Sequence, residues 1–283
     1  MEPATGGDAD LVTLDEEFVA EVAKDVRAGP FVRRCLALAD WLGPDGKPVT
    51  GSGVLAVAAA RTAYEELGLG DLSEPSTPRG SEEQPSLFGT EQEDALARQS
   101  PVRLRSAADL PALQQLWQVG VGSGLVEVNK GVARTGSRNC SSDEDWLLLG
   151  TDLAMGRLLL DGADELPIYA FALRPQAGDE RSFVPWLTPR ADGSCSRREL
   201  TKAWWNWLEN PLGRDSTNPT RGRSDLALRA ALELLEDLGL CHLDGDEVGG
   251  TAWGEEMCSL LTPRAEDVEE IVIEVPLGRP RWS

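Results

Sequence analysis

The chain contains one histidine, His242, which directly follows Cys241. A thiol and an imidazole act as nucleophile and general base when the two side chains share a hydrogen bond. Both residues lie in a short segment predicted to be a β-strand, in which neighbouring side chains point to opposite faces. This pair therefore cannot activate a thiolate, and we assign no catalytic residue to the chain.

Other residue types that support chemistry lack the required spacing. The five cysteines are scattered and form no C-x-x-C pair, so we expect free thiols and no metal site. The glycine-rich segments 51–53 and 120–124 match neither a dinucleotide-binding fingerprint nor a P-loop, so we expect no cofactor. The 48 carboxylates leave one enzyme hypothesis open, namely carboxylate chemistry in a cleft between two domains.

Positive charge is concentrated in residues 190–230, where eight Arg or Lys residues accompany five acidic ones. Trp204, Trp205 and Trp207 lie in the same segment, and basic groups interleaved with aromatic rings are typical of nucleic-acid contacts. The alternative is that the tryptophans belong to the core and the arginines pair with acidic neighbours. The candidate contacts of this basic patch are Arg197, Arg198, Lys202, Arg221, Arg223 and Arg229.

A second set of candidate contacts precedes this patch. Gln114, Gln115 and Gln118 are suited to hydrogen bonds with base edges, and Lys130 and Arg134 are suited to phosphates. The corresponding segment later in the chain is acidic and therefore suited to a basic protein partner. Its acidic residues are Glu233, Glu236, Asp237, Asp244, Asp246 and Glu247.

These candidates belong to a sequence unit that occurs twice, in residues 106–135 and 224–251. In each copy an amphipathic helix ends at a Gly-Leu step and is followed by two short strands joined by a turn. An offset of 115 residues superposes Gly124 on Gly239 and Leu113 on Leu228. Two further helices precede each copy, so the order is helix, helix, helix, hairpin. The sequence therefore predicts a mainly α fold with short β-hairpins (α+β), built from two winged-helix-like domains in tandem.

Composition and turn residues set the expected boundaries. We expect a disordered N-terminus at 1–12, a first domain at 13–138 with a mobile acidic insert at 71–100, a second domain at 139–275 and a tail at 276–283. Helices are expected to begin at Thr50, at Ser106 or Asp109, and at Ser224. Residues 166–173 fit either a helix or a buried strand, and the structure of 161–195 stays open.

The net charge of -21 and the pI near 4.4 oppose non-specific binding to nucleic acid. The chain has no apolar run of about 18 residues, and the N-terminus is acidic where a signal peptide is basic. We therefore expect a cytoplasmic protein with no membrane contact. The excess of Arg over Lys, 23 to 4, indicates a GC-rich bacterial genome.

Two stretches in the first half of the chain carry a resemblance. They are Trp41-Leu42-Gly43 with Lys47-Pro48-Val49-Thr50 and Gly53-Val54-Leu55, and Arg105 to Leu113 with Leu116-Trp117. Together they are similar to segments of uncharacterised actinobacterial proteins. The resemblance implies a bacterial cytoplasmic protein with a duplicated helical domain, and it implies nothing about chemistry.

The sequence therefore favours a non-enzymatic bacterial regulatory or protein-interaction module, whose acidic domains bind a protein partner; a basic protein is one candidate partner. One alternative is a sequence-specific DNA-binding regulator that uses the glutamines and Lys130, or the basic patch from Arg197 to Arg229. The second is the carboxylate enzyme. The oligomeric state is left open.

Overall fold

A computed structural model describes residues 15–70, 106–138, 140–160, 162, 166–173, 194–209 and 221–261. For residues 108, 167, 205–209 and 221–224 it describes the backbone alone. The described chain is mostly helical, with small antiparallel sheets, which confirms the predicted α+β class. The expected disordered N-terminus at 1–12, the insert at 71–100 and the tail at 276–283 lie outside the described residues.

The helices and strands follow one another along the chain in this order: α1 Glu16–Ala28, α2 Pro30–Leu42, β1 Lys47–Pro48, α3 Val57–Glu66, a 3-10 turn Ala107–Asp109, α4 Pro111–Gly122, β2 Val126–Asn129, β3 Val132–Thr135, α5 Asp143–Leu160, α6 Leu166–Leu173, β4 Cys195–Ser196, α7 Arg197–Glu209, α8 Arg221–Leu238, β5 Cys241–Asp244, β6 Glu247–Gly250 and α9 Ala252–Leu261.

The chain divides into two compact units. One consists of residues 26–161 and is called here the continuous unit. The other combines residues 1–25 with 162–283 and is called the split unit, because two separate pieces of the chain form it. The division falls inside α1, whose first ten residues belong to the split unit.

In the continuous unit, α4 packs against α2 and α5 beside a three-stranded sheet of order β1-β3-β2. The apolar positions of α4 recur with helical spacing, so Leu113, Leu116 and Trp117 lie on its buried side. Helix α5 contributes Leu149 and Leu153, which are fully buried. Burial of these side chains against one another supplies the main stabilisation of the unit.

The split unit has a similar arrangement. Helix α6 packs against α8 and α9, and the sheet has the order β4-β6-β5. Helix α6 is apolar on every side because it is enclosed by other elements; Phe171 and Leu173 are buried there. Residues 166–173 are therefore a helix, which settles the ambiguity of the sequence pattern.

The two units share the order helix, strand, helix, helix, strand, strand, helix, and in each sheet the last strand lies between the other two. The 115-residue offset holds through both hairpins, since Val126↔Thr135 corresponds to Cys241↔Gly250. It also places buried Leu113 on buried Leu228. The two predicted hairpins are therefore confirmed, with the expected alignment.

The domain limits differ from those inferred from the sequence. Helix α5 was expected in the second domain, which was to begin at residue 139, but it packs on α4 in the continuous unit. Residues 16–25 were expected in the first domain, but they belong to the split unit. Apolar patterning shows that a helix has a face to bury and does not show which core receives it.

Three helix starts also differ. Thr50 does not begin a helix, because its hydroxyl donates to the Val54 carbonyl in a turn, and α3 starts at Val57. Neither Ser106 nor Asp109 caps α4: the Asp109 carboxylate accepts the Ser106 N–H, and the helix starts at Pro111, whose missing N–H and fixed φ suit a first turn. Helix α8 begins at Arg221 rather than Ser224.

Candidate interaction surfaces

The acidic surface of the split unit is formed by α8 and the β5–β6 hairpin. Leu228, Leu232 and Leu235 occupy the buried side of α8, whereas Glu233 is exposed and Glu236 and Asp237 are half-buried. The hairpin turn is exposed from Asp244 to Glu247. We define the acidic surface by its six residues, which are Glu233, Glu236, Asp237, Asp244, Asp246 and Glu247.

Two acidic residues of this surface face each other across the hairpin. Asp244 pairs with Glu247 in the strand register, directly beside the turn that contains Asp246. Like charges in directly opposite positions destabilise a hairpin. The equivalent pair in the continuous unit is Asn129 and Val132, which carries no charge. The hairpin fold therefore does not require this charge pattern.

The structure describes the side chains of four of the six residues of the basic patch predicted from the sequence. Arg229 forms an ion pair with Glu233 one turn later in α8, at 2.9 Å. Arg198 and Lys202 are exposed on α7. The side chains of Arg221 and Arg223 lie outside the described part of the structure.

Arg197 holds a position between α7 and the hairpin. Its backbone N–H donates to the Asp246 carbonyl at 2.7 Å, and its Nε atom is buried without a hydrogen-bond partner among the described residues. The side chain of Ser196 caps the first turn of α7, with the Glu199 N–H as donor. These contacts tie Arg197 to the local fold, and only part of its guanidinium is available to a ligand.

Of the three tryptophans in the same segment, the structure describes the side chain of Trp204. Trp204 is buried, and its ring lies 4.9 Å from that of Phe171, so it belongs to the core of the split unit. This agrees with the structural alternative considered for the aromatic stripe. The side chains of Trp205 and Trp207 are not among those described.

The continuous unit presents the other candidate contacts on one helix and the hairpin that follows it. Helix α4 contains no charged residue; Gln118 is exposed, and Gln114 and Gln115 are half-buried. Lys130 is exposed at the hairpin turn, with a left-handed φ of 50°. Arg134 lies opposite Glu127 in the register, and their side chains are 4.0 Å apart.

The two units differ strongly in charge over their described residues. The continuous unit has ten acidic and nine basic residues, whereas the split unit has sixteen acidic and seven basic ones. The negative charge of the described chain is therefore concentrated in one of two units with the same topology. Because of this excess negative charge, the split unit in particular should repel phosphate groups.

The structure also shows how the side chains of Cys241 and His242 are placed. Burial, followed by the nearby Glu236 carboxylate, raises the pKa of the Cys241 thiol to about 12. His242 is exposed, and its ring covers Gly249 so closely that a Cβ atom there would lie 2.1 Å from Nε2. The two side chains lie on opposite faces, as strand alternation predicts, and Cys241 stays protonated at neutral pH.

One contact at this hairpin had no signal in the sequence. The Glu236 carboxylate accepts a hydrogen bond from the Leu243 N–H at 3.1 Å, so a side chain of α8 reaches the open edge of β5. A glutamate seven residues before a strand residue is too common a spacing to predict such a contact. Only the packing of α8 on β5 reveals it.

No protein-family model matches this chain, and neither a curated protein nor a solved structure shows significant similarity to it. Within the described ranges, no helix has the length and apolar character needed to cross a membrane. In the same ranges, no group of three His, Cys, Asp or Glu side chains is arranged to hold a metal ion.

Proposed function

We propose that each unit is a winged helix and that the protein is a non-enzymatic bacterial regulatory module of the cytoplasm, which binds a basic protein through the acidic surface of the split unit. The shared order of elements supports the first part of this proposal. The observation that carries the second part is the Asp244–Glu247 pair, whose like charges lie directly opposite each other at an exposed turn.

Two carboxylates beside each other create a strong local negative potential, which accelerates and orients the approach of a positively charged partner. The same potential repels a phosphate backbone. The acidic surface is therefore suited to Lys- or Arg-rich protein and unsuited to DNA.

The test compares two variants with the same change in net charge. The first, Asp244→Lys with Glu247→Lys, reverses the acidic hairpin. The second, Asp45→Lys with Glu65→Lys, alters exposed residues of the continuous unit and serves as the matched control. Each protein is immobilised and incubated with a lysate of the source organism, and the retained proteins are quantified by mass spectrometry.

We expect at least one basic protein to be retained by the wild type and by the control but reduced about tenfold by the hairpin variant. The dissociation constant of the purified complex should rise with salt, since screening weakens exposed charges. Equal retention by all three proteins would remove the proposal.

Sequence-specific DNA binding is the second candidate, and the continuous unit supports it. Its described residues are close to neutral, and exposed Gln118 lies on an uncharged helix ahead of Lys130. A mobility-shift assay with genomic fragments should then show binding that decreases steeply with salt and is weakened by Lys130→Ala. Absence of a shift at low salt would exclude this function.

A further inference from the structure

Helix α5 is apolar on two opposite sides. Its inner side carries Leu149, Leu153 and Leu158, which are fully buried in the core of the continuous unit. Its outer side carries Leu148 and Leu159, which are 59% and 49% exposed. A helix that is apolar all round is normally enclosed by other elements, as α6 is. The outer side of α5 is not enclosed by any element of the described chain.

The outer side of α5 forms one continuous stripe. Leu148, Asp152, Met155 and Leu159 follow one another at spacings of four, three and four residues, which places them along a single face of the helix. Met155 is half-buried and the other three are exposed. Eleven residues at 1.5 Å each give this stripe a length of about 17 Å.

The spacing of the stripe is symmetric about its midpoint, because four, three, four reads the same in both directions. A two-fold axis at the level of the midpoint places Leu148 opposite Leu159 of a second copy and Asp152 opposite Met155. Such self-complementarity is what an isologous dimer requires. A helix of a different protein imposes no symmetry of this kind, so the pattern favours a second copy of this chain as the partner.

We infer that α5 is the interface of a homodimer, in which the α5 helices of two copies pack antiparallel along this stripe. The exposed leucines at the two ends of the stripe then cover each other, and Met155 fills the centre. This interface is separate from the acidic surface, and it does not depend on the function proposed for that surface.

The charges on the stripe select the antiparallel arrangement over the parallel one. Glu144 lies one turn before Leu148 on the same side of the helix and is exposed. Parallel pairing would place Glu144 opposite Glu144 and Asp152 opposite Asp152, two like-charge contacts. Antiparallel pairing separates the two Glu144 residues by about 28 Å along the helix axis, which exceeds the screening length of about 8 Å at physiological salt. It also offsets the two Asp152 residues by three positions.

The charge around the stripe permits the approach of a second copy. The Asp152 carboxylate is paired with the Arg138 guanidinium, which also donates to the Ser123 carbonyl at 2.8 Å. The described residues of the continuous unit, ten acidic and nine basic, are close to neutral. The remaining repulsion comes from the net charge of -21 and is screened by salt. Added salt should therefore strengthen this dimer, whereas it should weaken a complex formed through the acidic surface.

The test measures self-association of the full-length protein by sedimentation equilibrium. The stripe is only one helix wide, so the interface is smaller than the standard size, and we expect a dissociation constant on the order of 10–100 µM. Leu148→Glu and Leu159→Lys should each raise it about tenfold or more, because each puts a charge opposite a leucine. Leu226→Glu, at a 68% exposed leucine of α8, is the matched control and should change it less than about twofold.

The double variant Leu148→Glu with Leu159→Lys distinguishes the antiparallel dimer from other arrangements. Antiparallel pairing brings each introduced carboxylate opposite the introduced ammonium group of the other copy, so association should recover to within about threefold of the wild type. An equimolar mixture of the two single variants should likewise form a heterodimer. Parallel pairing would instead bring like charges together, and the double variant would then associate more weakly than either single variant.

Three outcomes would overturn the inference. They are a wild type that stays monomeric up to about 0.5 mM, a Leu226→Glu control that dissociates as strongly as the single α5 variants, and a double variant that is weaker than both of them. The first outcome would assign the stripe to a different protein. Because the double variant keeps both substitutions, its recovery also shows that each substituted chain still folds.

Discussion

At the scale of single residues, the five cysteines differ in accessibility. Cys140 is half-buried, whereas Cys35, Cys195, Cys241 and Cys258 are buried. Burial raises the pKa of the Cys140 thiol, partly offset by Arg138, so its reaction at neutral pH should be slower than that of an ordinary exposed thiol. We expect iodoacetamide to label Cys140 first in the folded protein, as measured by peptide mass spectrometry.

Cys140→Ser provides the control for this labelling experiment. It should remove the first labelled site and leave the other four cysteines unreactive until the protein unfolds. Labelling of Cys241 at the same rate as Cys140 in the native state would contradict the burial that raises its pKa to about 12.

The Asp244–Glu247 pair makes a second prediction at this scale. Because like charges lie opposite each other, Asp244→Asn should stabilise the protein, by about 0.2–1 kcal/mol at low salt. Urea unfolding measures the gain, which should shrink as salt is added. The same substitution at Asp45, which is exposed outside any hairpin pair, should leave the free energy of unfolding nearly unchanged. A loss of stability in Asp244→Asn would contradict the repulsion.

Glu255 should make the stability depend on pH. Burial, followed by Glu256 and Glu21, raises the pKa of this carboxyl. The folded state therefore favours the protonated form, and the contribution of Glu255 becomes less favourable as pH rises through the raised pKa. Glu255→Gln should increase Tm at pH 7 by about 1 °C, since the group is partly exposed. The increase should disappear below the ordinary glutamate pKa of about 4.3; an increase that persists there would contradict this origin.

At the scale of the elements, two helices begin with the same capping arrangement. In α5 the Asp145 N–H donates to the Ser142 hydroxyl, and the Asp145 carboxylate accepts the Ser142 N–H. In α7 Ser196 and Glu199 make the reciprocal bonds. Hydrogen bonds from the backbone N–H groups of Ser142 and Ser141 lower the pKa of Asp145.

Ser142→Ala and Ser196→Ala should each therefore lower the free energy of unfolding by about 1 kcal/mol. Denaturant unfolding measures the change. Ser137→Ala, at an exposed position outside the helices, is the control and should change it by less than about 0.5 kcal/mol. If the two caps cost no more than this control, the hydrogen bonds do not contribute to helix stability.

The sequence predicted some elements more accurately than others. The hairpins followed from Gly and polar turn residues between short alternating segments, a local signal that packing did not override. The start of α3 was predicted seven residues too early. Thr50 is a typical capping residue and the apolar positions from Val54 onward have helical spacing, but hydrogen bonds between Thr50 and Val54 hold this segment in a turn. Local competition of this kind is invisible to periodicity.

At the scale of the whole molecule, Asp25 connects the two pieces of the split unit. Its carboxylate accepts the Ala252 N–H at 2.9 Å, at the first turn of α9. The N-terminus of a helix favours a carboxylate through its free N–H groups and its dipole. A residue near the start of the chain thus stabilises a helix more than two hundred positions later.

Asp25→Ala should lower the protection of α9 against hydrogen exchange by about 1 kcal/mol. The α3 amides, in the continuous unit, provide the internal reference and should exchange as in the wild type. Asp40→Ala, a matched loss of one carboxylate in α2, should leave α9 unaffected. Equal exchange of α9 in Asp25→Ala and the wild type would contradict the cap.

The sequence by itself determined the elements whose signals are local: the helices with a clear apolar stripe, the two hairpins, their alignment at 115 residues and the α+β class. It also identified the charged and amide side chains that α4, α8 and the hairpins present. Tertiary structure alone decided that residues 16–25 join the split unit and that α5 joins the continuous one. It alone closed the edge of β5 with Glu236. The physical reason is that an amphipathic helix or an edge strand specifies which side must be covered, whereas its partner is chosen by three-dimensional packing between segments far apart in the chain.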